Sequence, residues 1–264
     1  MTNSKKLLLA LFAVLLHLQA FAQKQSFSKL ELKPGEEFTV APGNILIVDT
    51  LVLHDNSAIR FNSSKEAKLG ARVAYVGEGC LITSKGADGV HGSLNLSGAA
   101  GEDGANLEID VHFMELGSLT IDTRGGAGGD GYVGKHGAKA YSKTSSYTKA
   151  NGKGGFEQVS YTVPVSSGTN GEKGTPGGTA GSGGNLKLIY STSNFIVNFN
   201  QSSRSNQKRK AHTIDIYYKA GKDGKAGRDG DSYIESTVIR GLPVSINHEP
   251  KLDGQLKITN AGKL

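Results

Sequence analysis

Gly125-Gly126-Ala127-Gly128-Gly129-Asp130-Gly131-Tyr132-Val133-Gly134-Lys135-His136-Gly137 places a glycine at every third residue: 125, 128, 131, 134 and 137. That period has a physical cause. A left-handed polyproline-II-like helix has three residues per turn and no internal hydrogen bonds, so its backbone groups point outward. Where such helices lie side by side, only glycine leaves room at the contact, and the backbones can bond to one another. The same register runs through Gly86, Gly89, Gly92, Gly98, Gly101 and Gly104, interrupted only at Asn95. It returns at Gly168, Gly171, Gly174 and Gly177, slips by one to Gly178, Gly181 and Gly184, and ends with Gly221, Gly224, Gly227 and Gly230. The sequence thus predicts glycine-repeat blocks at 86–104, 125–137, 168–184 and 221–230. Flexible glycine-rich loops have no reason to keep register. A collagen triple helix fits poorly, because the blocks are short and Pro176 is the only proline inside them.

Between the blocks lie strands. Leu107-Glu108-Ile109-Asp110-Val111-His112-Phe113 alternates apolar and polar residues, the period of a half-buried strand. Ile45–Leu53, Val73–Val76, Leu186–Tyr190, Phe195–Phe199, Ile214–Tyr218 and Tyr233–Ile239 read the same way. No segment after residue 22 carries a helical stripe. Three stretches also align with one another: 52–61, 75–83 and 113–121. Each runs strand, turn residue (Asn56, Gly79 or Gly117), small residue (Ser57, Cys80 or Ser118), strand. A degraded fourth copy is expected at Ser193–Val197. Rungs of about 20 residues with glycine insertions at one corner are the habit of a parallel β-solenoid. The fold class expected is therefore all-β: a short parallel β-solenoid-like core with glycine-rich polyglycine-II insertions. The alternative is a β-sandwich with Gly-rich loops.

Composition narrows the class further. Glycine is 37 of 264 residues, twice the usual share of about 7 %. One cysteine, Cys80, excludes an internal disulfide framework and a zinc finger; it reads as a small buried hydrophobe. Residues 1–22 have the form of a secretory signal peptide: Lys5 and Lys6, an apolar run from Leu7 to Leu16, then Ala20-Phe21-Ala22. Loss of the two lysines lowers the formal charge from +6 by two. Residues 23–264 form a single β-rich domain without a transmembrane span. The expected location is export to the periplasm, the cell surface or the medium.

These features resemble exported bacterial proteins with collagen-like glycine repeats, and polyglycine-II sandwich proteins such as the tip adhesin of some phage tail fibres. The residues carrying the resemblance are the four period-three blocks, about a quarter of the chain. The resemblance implies a rigid glycine-helix bundle whose loops display recognition side chains.

Catalytic motifs are few. No H-E-x-x-H, G-x-S-x-G or Walker-type loop occurs. Asp110 and Asp122 with Arg124 are the carboxylates that a β-helix polysaccharide lyase or hydrolase could use; as ordinary outward strand residues they need no such role. The expectation is no catalysis, no cofactor and no metal centre. Gly125–Tyr132 matches one copy of a calcium nonapeptide, and Asp-Gly pairs begin at Asp88, Asp103, Asp223, Asp229 and Asp253. Those pairs read as oxygen ligands or as plain turns.

Two stretches suggest binding. Tyr132, Tyr141, Tyr147, Phe156 and Tyr161 sit among Ser, Lys and Gly, the composition of a recognition loop, and tyrosine stacks on sugar rings. Arg204, Lys208, Arg209 and Lys210 form a basic run suited to an anionic partner. The function expected is a non-catalytic structural, adhesive or ligand-binding role in the cell envelope or outside the cell. The partner expected is a surface glycan or another envelope protein, not nucleic acid.

Overall fold

The computed structural model describes residues 24–63, 66–200, 212–235 and 237–262. The segment 1–22 and the basic residues Arg204, Lys208, Arg209 and Lys210 lie outside them. The first strands are β1 (Gln25–Leu32), β2 (Glu37–Thr39), β3 (Ile45–Leu53), β4 (Ala58–Arg60), β5 (Ala67–Val76) and β6 (Cys80–Thr83). Then come β7 (Leu107–Leu116), β8 (Ser118–Asp122), β9 (Tyr141–Ala150), β10 (Phe156–Ser166) and β11 (Leu186–Thr192). The last are β12 (Asn198–Asn200), β13 (Thr213–Tyr217), β14 (Ser232–Ile234), β15 (Thr237–Ile239) and β16 (Leu256–Asn260). The described residues contain no helix.

The chain alternates between two six-stranded sheets. One has the order β1-β3-β5-β7-β11-β16 and the other β12-β13-β8-β6-β4-β2. Every pairing in both is parallel. Parallel register stacks like on like. Leu46, Leu69, Ile109, Leu188 and Ile258 form one ladder of the first sheet. Ile59, Ile82, Ile121 and Ile216 form one ladder of the second. Residues of both sheets, with Phe113 and Cys80 among them, belong to a single buried apolar cluster. Burial raises the Cys80 thiol pKa. Strand direction sets these sheets apart from a hairpin-linked sandwich, whose neighbouring strands pair antiparallel.

Three details depart from the sequence reading. The third repeat is displaced by one: Cys80 pairs with Leu119, and Gly79 N–H donates to Ser118 Oγ at 2.8 Å. Two irregularities around Ala74 cancel, since Ala71 faces Val111 and Val76 faces Leu116; the connection from Leu116 to Leu119 is then one residue shorter than that from Val76 to Cys80. The fourth rung is not at Ser193–Val197. Thr213 stands beside Ser118, and His212 adopts φ 59°, the left-handed turn conformation of Asn56 (φ 59°) and Gly79 (φ 71°). Tyr233–Ile239 is a hairpin of β14 and β15 turning through Glu235 at φ 54°, rather than one strand.

All glycine blocks leave the second sheet and return to the first: between β6 and β7, between β8 and β11, and between β13 and β16. They form a hydrogen-bonded lattice. Gly125, Gly128, Gly131, Gly134 and Gly137 donate to the carbonyls of Lys219, Lys222, Lys225, Arg228 and Asp231 at 2.8–3.1 Å. Gly126 and Gly129 donate to Glu102 and Ala99, in a different direction. Gly178, Gly181 and Gly184 donate back to Gly129, Gly126 and Thr123. A Cβ on Gly128 would lie 2.1 Å from the Gly178 oxygen, inside the space of the neighbouring backbone.

Candidate functional site

Tyr132–Tyr161 is not one loop. Its first part continues the lattice; the rest leaves the lattice end as the β9–β10 hairpin, registered from Phe156↔Ala150 to Ser166↔Tyr141. Ser, Thr and Tyr predominate in β9 and are joined by Val in β10, and the β-branched and aromatic ones favour extended backbone. Asn151 closes the turn: its Oδ1 accepts the Lys153 and Gly155 N–H groups, both at 3.0 Å.

Strand alternation gives the hairpin two unlike faces. Tyr141, Lys143, Tyr147 and Lys149 share one face with Val159, Tyr161 and Val163. Tyr147 and Tyr161 meet edge to face, with ring centroids 6.0 Å apart. Tyr147 is 53 % exposed and Tyr161 49 %, so the pair is open to solvent on its outer side. The opposite face carries hydroxyls and amides: Thr144 meets Thr162 at 3.4 Å, and Gln158 donates to Ser146 at 2.9 Å.

The five aromatic residues named from sequence therefore divide. Tyr141, Tyr147 and Tyr161 share the apolar face. Phe156 stands beside the turn on the other face, 78 % exposed. Tyr132 belongs to the lattice: its hydroxyl donates to Glu172, which raises the tyrosine pKa and lowers that of the glutamate. Sequence reasoning missed Val159 and Val163. The signal was present, since Val159, Tyr161 and Val163 alternate with Ser160 and Thr162.

The lattice is closed at its margins by side chains. Asp88, Asp103, Asp223, Asp229 and Asp253, the Asp-Gly aspartates, accept the N–H groups of Ala127, Ser182, Ala180, Gly174 and Ala220 at 2.6–2.9 Å. The backbone bonds lower the pKa of Asp88, where the contact from Ala127 is the largest cause; at Asp229 the Lys173 ammonium leads and the Gly174 N–H adds. These oxygens finish a backbone network. Among the described residues no group of three or more His, Cys, Asp or Glu side chains could hold a metal ion.

Asp110 and Asp122 are not brought together. Asp110 is in β7 of the first sheet and Asp122 in β8 of the second. Arg124 grips Asp122 with Nε–Oδ1 at 2.9 Å and an Nη–Oδ2 contact at 2.7 Å. His112 lies between two hydroxyls, Ser191 Oγ at 2.7 Å and Ser193 Oγ at 3.3 Å. No helix of the described residues is long and apolar enough to cross a membrane. No family model, curated protein or solved structure matches the chain.

Proposed function

We propose that the chain is an exported, non-catalytic recognition protein of the cell envelope or extracellular space, built to display the β9–β10 hairpin to a surface glycan. On this reading the two sheets form a short parallel β-solenoid, and the glycine lattice is a polyglycine-II bundle inserted at one corner. The observation that carries the proposal is the hairpin's position. Its open tyrosine pair sits at the far end of the glycine lattice, and its strands pair with each other alone. At the rise of a three-residue helix, about 3.1 Å per residue, residues 124–138 set the hairpin about 40 Å from the sheet rim. A lattice hydrogen-bonded in several directions holds that distance where a flexible linker would not.

The chemistry of the face suits sugars. Tyrosine offers a rigid apolar ring with a polar tip, at little conformational cost. Lys143 on this face adds a cationic donor, and Lys149 stands opposite Glu157. Catalysis by the carboxylates named from sequence gains no support, because Asp110 and Asp122 lie on different sheets and Arg124 holds Asp122.

A glycan array probed with residues 23–264, and with the Tyr141→Ala/Tyr147→Ala/Tyr161→Ala variant, tests this. Binding that the variant loses, without turnover, supports the proposal. Binding to no glycan sinks it, and depolymerisation of any arrayed polymer replaces it with an enzyme.

A further inference from the structure

At the foot of the lattice, where β13 ends and the last glycine block begins, lies a cleft of about 310 Å³. Tyr217 and Tyr218 line it together with four cations, Lys85, Arg124, Lys219 and Lys222. Two of the cations are engaged. Arg124 is held by both oxygens of Asp122, with its guanidinium 5.0 Å above the Tyr217 ring. Lys85 bonds Asp88 at 2.9 Å. The two acids are equally occupied, since Asp88 also accepts the Ala127 N–H. Lys219 and Lys222 are exposed, and neither has a carboxylate partner among the described residues.

The cations continue beyond the cleft. Lys219-Ala220-Gly221-Lys222-Asp223-Gly224-Lys225 repeats lysine every third residue. The carbonyls of Lys219, Lys222 and Lys225 all accept from the same neighbouring segment, so the three residues hold one orientation on their helix. In a helix with three residues per turn they form a line, about 9 Å apart. Lys225 is exposed as well, and it too lacks a carboxylate partner. Asp130 approaches this line, and its Oδ1 caps the Lys225 N–H at 2.7 Å.

Several main-chain donors around the cleft are already taken. The N–H groups of Gly125 and Gly221 go to Lys219 and Gly181 carbonyls, and those of Ala127 and Ala220 go to Asp88 and Asp253. A phosphate is commonly cradled by a run of free backbone N–H groups; here the charged donors facing an anion are the exposed ammonium groups of Lys219 and Lys222. Two tyrosines beside two free lysines suit a ring that carries a carboxylate. We propose that the cleft and the lysine line bind a linear acidic polysaccharide, with a uronate ring against Tyr217 and Tyr218 and its carboxylates along Lys219, Lys222 and Lys225. The site is separate from the β9–β10 hairpin and does not depend on how the hairpin is read.

The test is titration of residues 23–264 with oligogalacturonate and with its methyl-esterified form, which keeps the rings and removes the charge. Selective binding of the acid form is expected, and added salt should weaken it. Lys219→Ala/Lys222→Ala/Lys225→Ala should lower affinity about tenfold, the sum of three exposed ion pairs. The corresponding triple Lys→Arg variant should retain it. The lattice uses only the backbone of these residues, so glycine amide resonances outside 219–227 should not move in either variant and will report that the fold is intact. Tyr147→Ala/Tyr161→Ala should bind as the parent does. Equal binding of the esterified form, or of inorganic polyphosphate, would overturn the proposal. So would unchanged affinity in the triple Ala variant, or loss of binding in the hairpin variant.

Discussion

A strand in either large sheet and a segment of the glycine lattice solve the same problem, stacking parallel backbone, with opposite means. Each inner strand bonds to neighbours on two sides and turns alternate side chains into the core, as Leu107, Ile109, Val111 and Phe113 do in β7. The segment 123–131 instead exchanges backbone hydrogen bonds with 86–92, 99–102, 178–184 and 217–225. With neighbours in so many directions no room is left for a side chain at the contact positions, and glycine is the only residue that fits. The sheets hold by removing apolar surface from water. The lattice holds by satisfying N–H and C=O groups, whose net worth per bond is about 0.5–1.5 kcal/mol. It also orders many glycines, each losing more freedom on folding than other residues do. Density of hydrogen bonds, rather than a core, must offset that loss.

The comparison breaks most visibly in the core. Phe113 is 2 % exposed, and Phe113→Ala should destabilise the sheets by about 3–5 kcal/mol in chemical unfolding followed by far-UV circular dichroism. If the lattice is a separate cooperative unit, its glycine amides should keep their exchange protection under mild denaturant while the strands lose theirs. Loss of both together would make sheets and lattice one unit.

Next comes the lattice itself. Gly128→Ala would force a Cβ to 2.1 Å from the Gly178 oxygen, and should cost about 1–3 kcal/mol, read as loss of protection at 125–131 and 175–184. Gly152 is the control. It has open space around it and a φ of +69°, so Gly152→Asn should stay within about 0.5 kcal/mol, because Asn tolerates that conformation. The two glycines then separate the need for close approach from the need for a left-handed turn. Calorimetry sharpens the contrast: the lattice transition should carry a heat-capacity change well below the usual ~12–15 cal/mol/K per residue, since little apolar surface is exposed when it opens.

Acid should act on the lattice before the core. Asp88 and Asp229 each accept a lattice N–H, Asp231 accepts that of Gly241 beside the last block, and their carboxyl pKa values are lowered in the folded state. A folded pKa below the unfolded one adds stability that is complete above about pH 4 and is lost as pH falls through the folded values. Glycine cross-peaks in amide spectra should therefore broaden or shift between pH 5 and pH 2 at a temperature where the strand signals persist. Strand signals that vanish first would show that the aspartates do not hold the lattice margin.

Much of this contrast could be read from the residues themselves. The interruption at Asn95 marks where the first block folds back on itself: Ser93 bridges Leu96, and Asn95 has φ 65°. The slip from Gly177 to Gly178 marks a change of neighbour. Gly177 faces Gly224 of the last block, whereas Gly178 and Gly181 face Ala99 and Glu102 of the first. The doublets 125–126 and 128–129 occur only where that first block lies alongside; beyond it single glycines suffice. What stayed hidden is what a period cannot encode. Asp-Gly pairs look alike whether the carboxylate binds a cation, makes a turn or caps a distant N–H. The hairpin's strands are Ser- and Thr-rich, and the alternation of Val159, Tyr161 and Val163 is confined to one of them. The shorter turn at Gly117 shifts one repeat by a single residue, which alignment of three short copies cannot resolve.

The smallest expected stability effect belongs to the residues with the largest expected role. Tyr147 and Tyr161 touch each other and leave about half of each side chain in water, so Tyr147→Ala/Tyr161→Ala should change global stability by no more than about 0.5 kcal/mol. Edge-to-face pairing is worth about 0.5–1.5 kcal/mol beyond burial, but here that energy is local to a hairpin whose strands pair only with each other among the described residues. Amide exchange within 141–166 should therefore quicken while the lattice and the sheets stay as they were. If the variant instead lowers the unfolding midpoint of the sheets, the hairpin packs on the body of the molecule and is not held away for display. If stability is untouched and glycan binding disappears, the tyrosine face is a binding surface that folding does not require.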